Sequence, residues 1–254
     1  MKKILCFFAA TMLLSLPLMA QPKIVAHRGF WRTAGSAQNS ITSLQKAADV
    51  GCYGSEFDVW LTADGVPVVF HDATWDGMRI EDTNYAELMN KRLGNGEFLP
   101  TLQQYLHYFL TLPYTRAIFE IKTHKTPERN RAVTELGVKL VKELGLEDRT
   151  DYIAFSKYVC EVLHEITPES NIAYLNGDLS PKEIKKMGIS GIDYHMKVFR
   201  ENPDWAKQAK KLGLEVNVWT VDGEEALTEF INMEGIDLIT TNDPDKLKEL
   251  LKKK

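Results

Sequence analysis

At 254 residues the chain is long enough for one large domain or two small ones. An apolar share of 44% and a charged share of 26% are ordinary for a soluble globular protein. A formal net charge of -4 argues against nucleic-acid binding, which usually needs a basic face.

Residues 1–20, MKKILCFFAATMLLSLPLMA, read as a secretory signal peptide. Lys2 and Lys3 form a positive start, Ile4 to Leu16 an apolar middle, and Ala20 a small residue at the expected cut. Pro17 breaks the apolar run, and Cys6 lies too early to be a lipoprotein cysteine. Removal of the two lysines takes the formal charge from -4 to -6. No other stretch approaches the length of a membrane span, so the mature chain is expected to be an exported, periplasmic or secreted protein. Cys52 and Cys160 are expected to be buried as small apolar residues.

Residues 21–254 read as a single domain. A short strand over Ile24–His27 opens it, followed by a Gly-containing loop through Gly35 and Ser36. Asn39 or Ser40 can cap a helix that runs to about Val50, with Ile41, Leu44, Ala47 and Ala48 on its apolar stripe and Gly51 at its end. A strand follows over Gly54–Leu61. Within it Glu56 and Asp58 are two apart, so both carboxylates point to one face. Burying two like charges costs several kcal/mol unless a cation or donors compensate.

Asp64-Gly65 is a hairpin signal between Val59–Leu61 and Val66–Phe70. A turn centred on that dipeptide makes strand partners sum to 129, which sets His71 opposite Asp58. From Asp72 to Pro100 the pattern is irregular and reads as an insertion with a short helix near Tyr85–Met89. A helix over Thr101–Leu112 and a strand over Arg116–Ile121 come next, with Glu120 and Lys122 on one face.

Beyond a helix over Pro127–Leu144 the alternation is regular. Strands are expected at Tyr152–Phe155, Asn171–Leu175, Gly191–His195, Glu215–Val221 and Asp237–Thr240. Helices are expected to Ile166, over Pro181–Met187, Pro203–Leu212 and Glu224–Met233, and from Asp243 to the tail. With the hairpin return set aside, eight strands are each followed by a helix. That alternation implies a parallel sheet with right-handed crossovers, and eight units in one unbroken run point to a (β/α)8 barrel. An open doubly wound sheet is the alternative, but no GxGxxG loop supports it. In a barrel of this kind the site lies at the C-terminal strand ends, where His27, Glu56, Asp58, Glu120 and Trp219 all fall.

Glu56, Asp58 and Glu120 together make an all-oxygen site suited to a hard divalent cation, Mg²⁺ or Ca²⁺. Arg28 and Lys122 add fixed positive charge, which favours an anionic substrate and phosphate most of all. His27 and His71 can pass protons to and from reacting oxygens. Cation, charge and proton carriers are together the equipment for phosphodiester cleavage.

The segments VAHRG, the Asn39 that follows, SEFDVWLTADGVPVVFHD, FLPTLQQYL, FEIK, VNVWTV and GIDLITTNDP closely resemble the glycerophosphodiester phosphodiesterase family. The resemblance covers almost all of the chain after residue 20. It implies a TIM-like barrel, one divalent cation on Glu56, Asp58 and Glu120, and His27 and His71 as the acid–base pair. It also implies Arg28 and Lys122 as phosphate contacts, Trp219 as an aromatic near the substrate, and residues 72–100 as an insertion over the barrel mouth.

The implied substrate is a deacylated phospholipid such as glycerophosphocholine or glycerophosphoethanolamine, cleaved to sn-glycerol 3-phosphate and an alcohol. The glycerol 2-hydroxyl would attack, one histidine taking its proton and the other protonating the leaving alkoxide. Water would then open a cyclic phosphate, with either histidine able to fill either role. One departure stands out: Ala37-Gln38-Asn39-Ser40 replaces the family's usual P-E-N-T run, so a carboxylate beside the site becomes an amide.

Two rivals carry specific expectations. A phospholipase of the same fold, acting on intact lipid head groups, would need an apolar rim, whereas residues 75–99 are mixed and polar. A non-catalytic barrel that binds phosphate or glycans would be expected to lack one of the histidines or carboxylates.

Overall fold

The computed structural model describes residues 21–253; the signal peptide read in residues 1–20 lies outside the described residues. The chain begins with β1 (Lys23–Ala26), crosses through α1 (Ile41–Val50) and returns as β2 (Gly54–Leu61). A hairpin strand β3 (Pro67–Val69) follows, then the insertion with the ribbon β4 (Thr74–Trp75) and β5 (Met78–Arg79) and the short helix α2 (Tyr85–Leu88). The next units are α3 (Leu102–Phe109), β6 (Arg116–Ile121), α4 (Pro127–Glu143), β7 (Thr150–Ala154), α5 (Lys157–Ile166), β8 (Asn171–Tyr174) and α6 (Pro181–Met187). The chain closes with β9 (Gly191–His195), α7 (Met196–Glu201), α8 (Trp205–Lys211), β10 (Glu215–Trp219), α9 (Glu224–Asn232), β11 (Leu238–Thr241) and α10 (Pro244–Lys252).

Eight of these strands form a closed parallel barrel in the order β1, β2, β6, β7, β8, β9, β10, β11, and β11 pairs back to β1. Closure removes both sheet edges, and helices cover the outside. Every position of β2 is therefore buried, as expected of a strand walled in on both faces. Val25, Ile118, Ile153, Leu175 and Leu238 fill the barrel interior. Outside it Phe57 and Phe119 stack at 5.1 Å and pack with Tyr105 and Phe109 of α3. Trp60, Val68, Ile80, Leu88 and Leu99 form a separate small core under the insertion. Glu97 ties that insertion to the barrel, accepting hydrogen bonds from the first two amides of α1, Ile41 at 2.9 Å and Thr42 at 3.2 Å. A carboxylate there complements the helix dipole.

Two expectations are corrected, and one choice between alternatives is resolved. Hairpin partners sum to 128, with Val59 on Val69 and Leu61 on Pro67. The loop is Ala63-Asp64-Gly65, closed by Thr62 on Val66, with Gly65 at φ +82° supplying the left-handed residue of a three-residue turn. Phe70, not His71, therefore faces Asp58, its amide donating to the Asp58 carbonyl at 2.9 Å. The expected helix over residues 203–212 is Trp205–Lys211, with a second helix, α7, before it. Ser40 is the cap of α1, its side chain accepting from the Ser43 amide, and Asn39 is left free for another task. Cys52 and Cys160 are both buried free thiols.

Candidate active site

The site sits where the strand-end rule places it. On β2 the side chains of Glu56 and Asp58 point inward, and Asp58 pairs in register with Glu120 of the neighbouring β6. One oxygen from each of Glu56, Asp58 and Glu120 lies within 4.8 Å of the others, and all three residues are buried. These were the three expected metal ligands, and the barrel brings them together.

Each carboxylate is held differently. Asp58 accepts from Asn39 Nδ2 at 2.9 Å and from Lys122 Nζ at 3.1 Å, with Arg28 Nε 3.7 Å away. Burial works against its ionisation, but the Lys122, His71 and Arg28 charges outweigh burial and hold the carboxyl well below the usual range. Glu120 is paired with Lys122 at 2.7 Å, yet burial and the Asp58 charge push it up to about 7. Burial also raises Glu56 well above the carboxylate range, reinforced by the Asp58 and Glu120 charges. Its Oε2 accepts from the Arg28 amide at 2.8 Å, while its buried Oε1 has no partner. Such an orphaned acceptor costs about 1–3 kcal/mol or more if charged. An all-oxygen set with an orphaned acceptor and two carboxyls reluctant to ionise fits a divalent cation, which would favour their charged forms.

The loop after β1 is bent to serve this cluster. Arg28 and Asn39 both adopt the left-handed conformation, at φ 57° and 60°. For residues other than glycine this costs on the order of 1–3 kcal/mol each. The bend turns the Arg28 amide onto Glu56 and the Asn39 amide group onto Asp58. Arg28 Nη1 donates to Gln38 Oε1 at 2.7 Å, so the departure from the family pattern lies directly on this guanidinium. Gln38 retains an acceptor there and drops a negative charge.

The two histidines flank the cluster. His27 follows β1, its Nε2 4.0 Å from Glu56 Oε2 and its Nδ1 2.9 Å from Asn242 Oδ1. Burial lowers its pKa to about 4, with the Arg28 charge acting in the same direction. His71 reaches the cavity although the expected register fails, because β3 ends at Val69 and the chain bends beyond it. Its Nδ1 lies 2.7 Å from Asp72 Oδ1. Burial lowers its pKa as well, against the opposing charge of Asp58.

A cavity of about 130 Å³ opens above the cluster, lined by His27, Arg28, Glu56, His71, Glu120 and Lys122 on one side. Phe155, Leu175 and Trp219 form an apolar wall opposite. Trp219 is fixed by its indole N–H, which donates to the Asp193 carbonyl at 2.8 Å, and its ring meets those of Phe155 and His195 edge-on. All eight expected site residues therefore line or underlie one cavity.

Some residues of the site had no role assigned from sequence. Asn242 and Asp222 back His27, and Asp193 lies beneath the cavity with one carboxyl oxygen unpartnered. Burial raises Asp193 to about 8, which favours its protonated form. Asn242 follows the C-terminal end of β11 and Asp222 that of β10, so the strand-end rule was a usable signal for both, whereas Asp193 lies within β9. His124, by contrast, is structural: its Nε2 accepts from the Leu61 amide at 2.9 Å and its Nδ1 lies 2.9 Å from the Lys122 carbonyl.

A model of the glycerophosphoryl diester phosphodiesterase family matches residues 27–246. A glycerophosphodiester phosphodiesterase of Caldanaerobacter subterraneus subsp. tengcongensis is 28% identical over 244 residues, covering 91% of this chain and 98% of the relative. The crystal structure of a glycerophosphodiester phosphodiesterase from Parabacteroides distasonis shares 50% identity, covers 92% of this chain and 98% of its own, and superposes with a TM-score of 0.90. An Oleispira antarctica phosphodiesterase, solved in complex with the product sn-glycerol-3-phosphate, is 22% identical over 91% of this chain and 97% of its own, with a TM-score of 0.78.

Proposed function

The chain belongs to the glycerophosphoryl diester phosphodiesterase family, and on that premise we propose a metal-dependent hydrolysis that releases sn-glycerol 3-phosphate and a free alcohol. The enzyme class follows from the family and its relatives. The single observation that carries the finer reading is the buried Glu56, Asp58 and Glu120 cluster, placed between two histidines and two cations in one cavity. The product named for the Oleispira antarctica complex is consistent with it.

In this reading Glu56, Asp58 and Glu120 hold a Mg²⁺ or Ca²⁺ ion. When bound, such an ion supplies Lewis acidity toward the phosphoryl oxygens. Arg28 and Lys122 line the same cavity and add fixed charge against the phosphate. Both are also paired with carboxylates, which keeps them extended and in place before substrate arrives. Trp219 and Phe155 give the carbon skeleton of the substrate an apolar surface.

His27 and His71 then carry the protons. One histidine takes the proton of the glycerol 2-hydroxyl as its oxygen bonds to phosphorus, and the other gives a proton to the head-group oxygen as that bond breaks. In the second half water is deprotonated by the second histidine and opens the cyclic phosphate, and the first returns its proton to the 2-oxygen. Residues 1–20 direct export in the same reading, so the substrate would be met outside the cytoplasm; recovery of exported protein that still begins at Met1 would contradict this.

The test is to incubate the Mg²⁺- or Ca²⁺-loaded protein with glycerophosphocholine and glycerophosphoethanolamine and follow the products by phosphorus NMR. sn-Glycerol 3-phosphate with equimolar choline or ethanolamine is expected. Release of phosphocholine instead, or no turnover of any glycerophosphodiester, would overturn the reading.

A further inference from the structure

Behind His27 lies a hydrogen-bond network whose donors and acceptors can be assigned without reference to a hydrogen position. Asn242 Oδ1 is 2.9 Å from His27 Nδ1 and also accepts from Trp31 Nε1 at 2.8 Å. On its other side Asn242 Nδ2 donates to Asp222 Oδ2 at 2.7 Å, and the Asn242 amide donates to Asp222 Oδ1 at 2.9 Å. Arg32 pairs with Asp222 at 3.0 Å and Thr241 Oγ1 donates to it at 3.2 Å.

Two independent constraints fix which end of the Asn242 side chain faces His27. A carboxylate only accepts, so the atom against Asp222 is the amide nitrogen. An indole N–H only donates, so the atom against Trp31 is the amide oxygen. Both give the same answer. Facing an oxygen that can only accept, His27 Nδ1 must carry the ring proton. The neutral ring is left with a bare Nε2, and that nitrogen is the one turned toward Glu56 and the cavity.

His71 Nδ1 also faces an acceptor, the Asp72 carboxylate at 2.7 Å, but Asp72 is largely exposed, whereas Asn242 is held from both sides.

We propose that Asn242, clamped by Asp222, is a positioning residue that locks the neutral His27 ring as the Nδ1–H tautomer and so keeps a bare Nε2 turned toward the reacting oxygens. Whichever proton His27 accepts, from the 2-hydroxyl or from water, arrives at Nε2. The assignment rests on the hydrolytic reading above and names the ring atom that acts in it.

The test uses the Mg²⁺-loaded enzyme with ¹⁵N-labelled histidine and reads which ring nitrogen carries hydrogen from two-bond ¹H–¹⁵N couplings. His27 should show Nδ1–H and a bare Nε2 in the wild type; a proton on Nε2 would overturn the proposal whether or not the enzyme turns over, so this result is separable from failure of the hydrolytic reading. Asn242→Ala should shift His27 toward Nε2–H and lower kcat by about 10–100-fold, the usual cost of losing an orienting partner, with KM within about twofold. A folded Asn242→Ala enzyme with unchanged tautomer and kcat would overturn it too, and Asn242→Ser is the substitute if the alanine variant does not fold.

Discussion

Both ends of this barrel bury charge, and they treat it in opposite ways. At the N-terminal end Arg116 grips Asp151 with two hydrogen bonds, of 2.9 and 2.6 Å, and Asn171 donates to the same carboxylate at 2.9 Å. Among the described residues, no buried side-chain atom in the groove around them lacks a partner. At the C-terminal end three carboxylates crowd together, and Glu56 Oε1 and Arg28 Nε are buried without a hydrogen bond. The groove at the N-terminal end is the larger, about 550 Å³ against about 130 Å³, so size alone would select the wrong end. Unsatisfied charge identifies the working end, because a folded chain keeps such groups only where something else completes them. The barrel rule agrees, assigning chemistry to the C-terminal face and stability to the other.

The sharpest way to break this contrast is to neutralise each end in turn. Glu56→Gln or Glu120→Gln should remove a cation ligand and lower kcat/KM by at least about 10³-fold, since Lewis-acid assistance is worth several kcal/mol. Neither variant should lose stability when metal-free, because each removes a reluctant charge. Calorimetric metal titration beside thermal melts checks both halves. A Glu120→Gln enzyme that bound Mg²⁺ as wild type does would remove Glu120 from the site.

Next in size are the histidines. His27→Ala and His71→Ala should each reduce turnover by about 10²–10⁴-fold with metal affinity retained. The double variant should lose far less than the product of the two, since both residues serve one proton cycle. Steady-state kinetics on all three variants measures this. Near-normal turnover by His71→Ala would make that residue structural.

At the opposite end Arg116→Ala should cost about 1–3 kcal/mol of stability by leaving Asp151 with fewer donors, the effect tempered because Arg116 is partly exposed. Its kcat should match that of wild type. Denaturant unfolding together with kinetics separates the two, and a collapse of kcat with normal stability would refute the division of labour between the ends.

The smallest effect is a pH dependence of the metal-free protein. Glu120 titrates near 7 when folded but near the ordinary 4.5 when unfolded, so between these values the folded state binds more protons and stability falls as pH rises. Asp193, raised to about 8, extends the fall upward. His27, lowered to about 4, acts in the opposite direction, but its contribution is complete above about 6.5. From pH 6.5 to 8 the metal-free protein should therefore lose on the order of 2–3 kcal/mol, and saturating Mg²⁺ should recover the Glu120 share. Thermal melts at both pH values with and without Mg²⁺ read this directly; a flat metal-free profile would contradict the crowded-carboxylate account.

Much of this was legible before any coordinates. Apolar runs and helix signals alternate, so the eight strands and the barrel followed, and the two-residue spacing of Glu56 and Asp58 forced their carboxylates onto one face. Glu120 was legible for the same reason. The hairpin register was not, because Asp64-Gly65 suits both a two-residue turn and a three-residue turn with Gly65 in the left-handed position, and only the second occurs. His71 nonetheless reaches the cavity, by a bend beyond β3 that strand parity does not govern. Asn39 and Ser40 both suit a helix cap by side chain; Ser40 takes that role and Asn39 turns back onto Asp58. Asn242 meets His27 only through closure of the barrel between β11 and β1, a contact spanning 215 residues in sequence, and no local pattern pairs the two.

The central claim is that the C-terminal charge cluster is completed by a divalent cation. Its most direct test is to strip the wild-type protein exhaustively with EDTA, remove the chelator, and assay glycerophosphocholine hydrolysis before and after adding Mg²⁺ or Ca²⁺. The account predicts no measurable hydrolysis in the stripped protein and full recovery with one of the two ions; full activity in the stripped protein would contradict it.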